Sequence, residues 1–197
     1  NTFNGSLLWE PWDVLKNDGN PYRVFTPYYR RGCLNASEPR RPLKKPGNIN
    51  YQKIKNFKSL HIDQLNLLPA HSWKNKIIKS WNIGEKAAIR RLNEFIETGI
   101  DDYKEGRNFP FKKNVSRLSP HLHWGEISPN TVWFKVWDLN KLGVKHQQDT
   151  DTFLSEMGWR EFSNYLLFYF PELPKKNLQK KFDNFSWDEN PLFLKAW

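Results

Sequence analysis

Cysteine is almost absent: Cys33 stands alone in 197 residues. That excludes a disulfide framework and any cysteine-based metal site, and it fits a reducing compartment. No apolar run approaches the ~20 residues that a membrane-crossing helix needs. The opening stretch NTFNGSLLWEPWD has neither a basic leader nor an apolar signal core. An intracellular, cytoplasmic chain with no membrane partner is the expectation. Glycine is sparse and nowhere clustered into a phosphate-cradling loop. The histidines His61, His71, His121 and His123 match no metal-ligand or nucleophile pattern, so they read as structural, with no metal site expected.

What is present is positive charge and aromatic rings. Thirty-one Lys and Arg against 21 Asp and Glu leave a formal charge of +10, and 10 Trp and 14 Phe accompany it. Cations suit phosphates and rings suit bases, so nucleic acid is a natural partner class. Aromatic residues also build cores, and composition alone leaves a non-catalytic, basic helical nucleic-acid-binding module open.

Along the chain, residues 1–60 look irregular. Pro11, Pro21, Pro27, Pro39, Pro42 and Pro46 interrupt every candidate helix. This stretch reads as a connector, or the tail of a preceding domain, ahead of a helical region over 61–197. In EKAAIRRLNEFIETG, residues Ala88, Leu92, Phe95 and Ile96 form a helical stripe that Gly99 is expected to close as a left-handed terminator. Val132, Trp133, Val136 and Trp137 repeat the pattern up to Gly143. The next and longest helix is expected to start at a cap among Asp149–Asp151 and to stop before Pro171. No convincing alternating strand occurs between 84 and 171, so the class is mainly α, a helical bundle behind a proline-rich linker.

Two short stretches carry chemistry. SRLSPHLHWGEISPN (116–130) holds Ser-Pro twice, and Ser119 and Ser128 each read as a helix cap followed by proline at the first helical position. A helix start beside Arg117 and Ser116 is a ready anion site. Two consecutive short helices explain the same pattern. In the long helix, Glu156, Trp159, Arg160 and Ser163 are spaced i, i+3, i+4 and i+7, so they share one face. They describe either a solvent-exposed strip with an i,i+4 ion pair or the polar wall of a ligand cavity, with Trp159 as a stacking plate. Tyr103 and Arg107 are likewise four apart, and a surface pair is the default reading there.

Taken together, PYRVFTPYYRRG (21–32), GEKAAIRRLNEFIETGIDDYKEGRNFP (84–110), SRLSPHLHWGEISP (116–129), GWREF (158–162) and WDENPLFLKAW (187–197) resemble the DNA photolyases and their cryptochrome relatives. The motifs keep the family's order and cover nearly the whole chain. The resemblance implies a fragment: the connector from a missing α/β antenna domain, over 1–60, and the N-terminal half of the helical FAD-binding domain, over 61–197. It implies FAD as cofactor and an antenna chromophore on the absent domain. Tyr103, Ser116, Arg117, Leu118 and Ser119 match positions that hold the FAD phosphates and ribitol, and Arg160 a residue near the phosphates. Glu156 matches the carboxyl group that hydrogen-bonds the damaged pyrimidine pair, and Trp159 the ring against which the flipped-out lesion packs. Val115 stands where many relatives have threonine, so one hydroxyl contact is lost.

The implied activity is blue-light-driven splitting of cyclobutane pyrimidine dimers in UV-damaged DNA, a carbon–carbon lyase reaction. A cryptochrome-type photoreceptor without repair is the alternative, and the acid at Glu156 favours repair. A single half of the FAD domain is expected to be inactive and to hold FAD weakly or not at all. It is also expected to leave apolar surface uncovered around Phe162, Tyr165, Leu166 and Trp197, inviting self-association.

Overall fold

The computed structural model describes residues 4–52, 58–67, 71–143, 145–186 and 188–197. Trp187, which opens the last of the motifs, lies outside them. Among the described residues eight α-helical segments follow one another: α1 (Phe25–Pro27), α2 (Lys74–Ser80), α3 (Glu85–Glu94), α4 (Tyr103–Gly106), α5 (Ser119–His123), α6 (Pro129–Lys141), α7 (Gln147–Tyr169) and α8 (Pro191–Ala196). No strand occurs among the described residues, so the mainly helical class expected from the sequence is observed. No helix among them is long and apolar enough to cross a membrane.

The chain divides into two compact units, Asn1–Leu8 with Pro39–Met157 and Trp9–Glu38 with Gly158–Trp197. The core of the first is built from the stripe of α3 (Ala87, Ala88, Leu92), from Val132, Trp133, Phe134 and Val136 of α6, and from Phe153, Leu154 and Met157 of α7. Ser128 caps α6: its side chain accepts from the Thr131 N–H at 3.1 Å, with Pro129 at the first helical position. Gly143, at φ +64°, ends that helix in the left-handed region as its sequence suggests.

Gly99 behaves differently from its expected role. The helix widens after Glu94 into a π-turn over Phe95–Gly99, and Gly99 keeps negative φ. It is needed for closeness instead, because a Cβ there would lie 2.8 Å from the Phe95 ring and 3.1 Å from the Lys113 carbonyl. The start of α7 is also corrected, to Gln147 rather than a cap among Asp149–Asp151. Asp149 is buried, and its carboxylate accepts from the N–H groups of Asp102 (3.1 Å) and Lys104 (2.8 Å). It satisfies the orphan donors at the start of α4 instead of those of its own helix.

The second unit overturns the irregular reading of part of the proline-rich stretch. Helical turns run continuously over 25–35, an α-turn at Phe25–Pro27, a π-turn at Tyr28–Gly32 and a tighter turn at Cys33–Asn35. Their rings supply the core: Tyr22, Tyr28 and Tyr29 are buried with Trp9, Phe162 and Tyr165. The Tyr165 hydroxyl donates to the Val14 carbonyl at 2.8 Å and accepts from the Tyr22 N–H at 3.0 Å. Burial pushes the Tyr165 phenol up to about 12 and the Cys33 thiol up to about 12, so both stay neutral. Phe162 and Tyr165 are therefore covered, contrary to the expectation of bare apolar surface there; Tyr28 packs on both, at 5.0 and 4.6 Å between ring centres. Trp197 is exposed as expected, and so are Leu192, Phe193 and Leu194 of α8 and Leu167 and Phe168 of α7.

Candidate functional site

Helix α7 runs unbroken from Gln147 to Tyr169, so Glu156, Trp159 and Arg160 keep the i, i+3, i+4 spacing that places them on one helical face. The ion pair that this spacing suggested is absent. Glu156 Oε1 instead meets Arg107 Nη1 at 2.5 Å, and Arg160 Nη1 donates to Glu161 Oε1 at 3.1 Å.

In the first unit, Tyr103 anchors the Arg107–Glu156 pair. Its ring is buried edge-on against Phe95 and Phe153, and the Arg107 guanidinium lies 5.6 Å over it. Burial raises the Tyr103 phenol above its ordinary value, and the hydrogen bond with Arg107 opposes that shift. Arg107 is itself pushed up, chiefly by its hydrogen bond with Glu156 and then by that with Tyr103. The expected surface pair is thus a half-buried triad of phenol, guanidinium and carboxylate.

The Ser116–Ser119 turn lies in the same unit. Ser116 Oγ accepts from the Leu118 N–H at 3.4 Å. Arg117 adopts φ +54°, a left-handed conformation that non-glycine residues enter at a cost, and such strain gathers at functional sites. Its guanidinium lies 4.7 Å over the Trp81 ring. Leu118 is buried and holds the turn to the core. Ser119 does not cap the following helix, contrary to the Ser-Pro reading. It is the first residue of α5, and the preceding Leu118 has helical dihedrals (φ −88°, ψ −10°) with no side-chain cap. A cap needs an extended backbone so that its oxygen can fold back on the first turn, and Ser119 sits one place too late. Below the turn, buried His121 meets Glu126 at 2.5 Å, which bears out its structural reading.

In the second unit the indole of Trp159 lies flat on Phe25, with 3.8 Å between ring centres and 12° between planes, and the residue remains 46% exposed. Arg160 is oriented by Glu161, whose side chain is 1% exposed and whose other oxygen accepts from the Trp9 N–H at 3.4 Å. Sequence reasoning missed Glu161 and Phe25. Glu161 had a signal: it stands in line with Leu154, Met157 and Tyr165, a charge on an apolar stripe, where burial demands a partner.

The described residues hold no cluster that could bind a metal ion. What they offer is a phosphate-compatible set, with two serines and an arginine on one turn, and separately a half-exposed flat ring.

A family profile described as DNA photolyase matches residues 1–47. Over its whole length the chain is 39% identical to the deoxyribodipyrimidine photo-lyase of Agrobacterium fabrum, covering 40% of that protein. It is 31% identical to cryptochrome-2 of Arabidopsis thaliana, again over the whole chain, which spans 33% of that protein. Among solved structures, a bacterial class III photolyase from Agrobacterium tumefaciens superposes with a TM-score of 0.87 at 39% identity, over 99% of this chain and 40% of the other. By sequence and by fold, then, the chain is similar to DNA photolyases and cryptochromes along almost its whole length. It spans about 40% of the length of the photolyases it matches.

Proposed function

We propose that this chain is the interdomain connector (1–60) and the N-terminal half of the FAD-binding helical domain (61–197) of a deoxyribodipyrimidine photolyase. That enzyme splits cyclobutane pyrimidine dimers in UV-damaged DNA under blue light and works in the cytoplasm. The observation that carries this reading is the class III photolyase likeness, which combines 39% identity with a TM-score of 0.87 along almost the whole chain.

The donor chemistry fits FAD. Ser116 and Ser119 supply hydroxyls and Arg117 a cation to the phosphates at a strained turn whose Arg117 and Ser119 are exposed. Tyr103, whose ring lies under the Arg107 guanidinium, belongs to the same proposed FAD-holding set, as does Arg160, steadied by Glu161. Reduced FAD, when bound and excited by light, supplies the electron that opens the dimer and takes it back. The remaining tasks fall to the chain's side chains. Trp159 presents a flat face to an extruded lesion, because a base taken out of its stack needs a new one. Glu156 accepts from the pyrimidine N–H edges, and the Arg107 cation beside it offsets negative charge that develops on the pyrimidine carbonyls. The net charge of +10 supports backbone binding.

The likeness to cryptochrome-2 favours one other reading, a flavin photoreceptor that signals without repairing. A blue-light repair assay on dimer-containing DNA with the intact protein tests the choice. Light-dependent loss of dimers, abolished in the dark, is expected; flavin photoreduction with no repair would establish the photoreceptor.

A further inference from the structure

Three rings of the second unit form one stack. Phe25 faces Trp159 at 3.8 Å and 12°, and Tyr29, one turn further on, lies nearly parallel to Phe25 at 5.6 Å and 9°. The stack grades from the interior outward: Tyr29 is 4% exposed, Phe25 is half-buried and Trp159 is 46% exposed. Phe162 closes one edge of the indole, at 5.9 Å and 71°. Gly158 permits the arrangement, since a Cβ there would fall 2.5 Å from Tyr29 Cδ2. One face and one edge of Trp159 are thereby covered, and the residue keeps nearly half of its surface exposed. An unsupported surface tryptophan would distribute over several rotamers, and a ligand stacking on it would have to select one. Here the selection is already made.

We propose that Phe25 is a positioning residue. It fixes the plane of Trp159 so that the free face receives a flat heteroaromatic base, and so sets the affinity for an extruded pyrimidine dimer. The proposal rests on the reading of Trp159 as the lesion-facing plate. Phe25 acts through the indole and does not touch the base.

The test is dimer binding by the intact, flavin-loaded protein, using a duplex with one cyclobutane dimer and the same duplex undamaged. Phe25→Leu keeps apolar bulk but removes the flat support, and Phe25→Tyr restores it; Phe25→Met replaces the leucine variant if that fails to fold. Expected is a loss of dimer affinity of roughly three- to tenfold in Phe25→Leu, the cost of ordering one side chain. Flavin content and affinity for undamaged DNA stay unchanged, Phe25→Tyr recovers the loss, and Phe25→Leu adds nothing in a Trp159→Ala background. A normal Phe25→Leu protein beside a defective Trp159→Ala protein would overturn this inference alone. So would an equal loss in the Trp159→Ala background, or no recovery with tyrosine. Full dimer affinity in Trp159→Ala would overturn both this inference and the reading beneath it.

Discussion

Glu156 is held by charge, whereas Trp159, three residues further along α7, is held by ring stacking. The Arg107–Glu156 pair is half-buried and still reached by water, with side chains 32% and 38% exposed. Such a pair is worth about 0–1 kcal/mol and weakens as salt rises. The Trp159 plate rests on Phe25, and Phe25 on buried Tyr29, contacts that salt does not screen. The first arrangement can exchange partners cheaply, as the proposed hydrogen bonding of Glu156 to a substrate requires. The second keeps its geometry, as the proposed stacking of a flat ligand on Trp159 requires.

The sharpest way to break this contrast is to put a charge defect in the ring-held region. Glu161→Ala removes the buried partner of Arg160 and of the Trp9 N–H. Removing one member of a buried pair costs about 3–5 kcal/mol, and the lower end applies because Arg160 is partly exposed. A denaturant melt should show that loss, and a neutral result would mean that water replaces the carboxylate. Gly158→Ala comes next. Its new methyl must displace buried Tyr29, so a loss of about 1–3 kcal/mol is expected from overpacking. An unshifted midpoint would show that the ring stack is loose.

Smaller effects sharpen the other side. Glu156→Gln should lower stability by less than about 1 kcal/mol, and the difference from the parent should vanish at high salt. A salt-independent difference would mean that the pair is more deeply buried than it looks. The smallest effect concerns pH. The hydrogen bond from His121 holds the Glu126 carboxyl below its ordinary value of 4.5. A depressed carboxylate stabilises the fold above its unfolded value, and that contribution is lost as pH falls through the folded one. Glu126→Gln should therefore flatten the acid limb of the stability curve. An unchanged limb would assign acid sensitivity to other carboxylates.

Much of the helical plan was legible because periodicity is local. The stripe of α3, the Ser128 cap and the Gly143 terminator all follow from spacing and cap chemistry. The ring-rich run over 25–35 was not legible, since prolines hide short helical turns and nothing local announces that Tyr22, Tyr28 and Tyr29 will find Phe162 and Tyr165 more than a hundred residues later. At the candidate site, the residues on the face of α7 could be named from the sequence, but their partners could not. Glu156 and Arg160 stand at ion-pair spacing, and each is taken by a better-placed partner, Arg107 from a distant turn and Glu161 from the next position. Ser119 failed as a cap for a related reason. Ser-Pro chemistry places a helix start to within a residue, and the backbone of Leu118 decides which residue it is.

The central claim, that the free face of Trp159, its plane fixed by Phe25, receives the lesion, is tested most directly by comparing dimer-containing and undamaged duplexes as competitors for the intact protein. Stacking on one ring is worth about 1–3 kcal/mol per base. Trp159→Ala should therefore lose dimer preference by about tenfold or more, while Trp159→Phe keeps most of it and neither variant loses flavin. An undiminished preference for the dimer in Trp159→Ala would contradict the account.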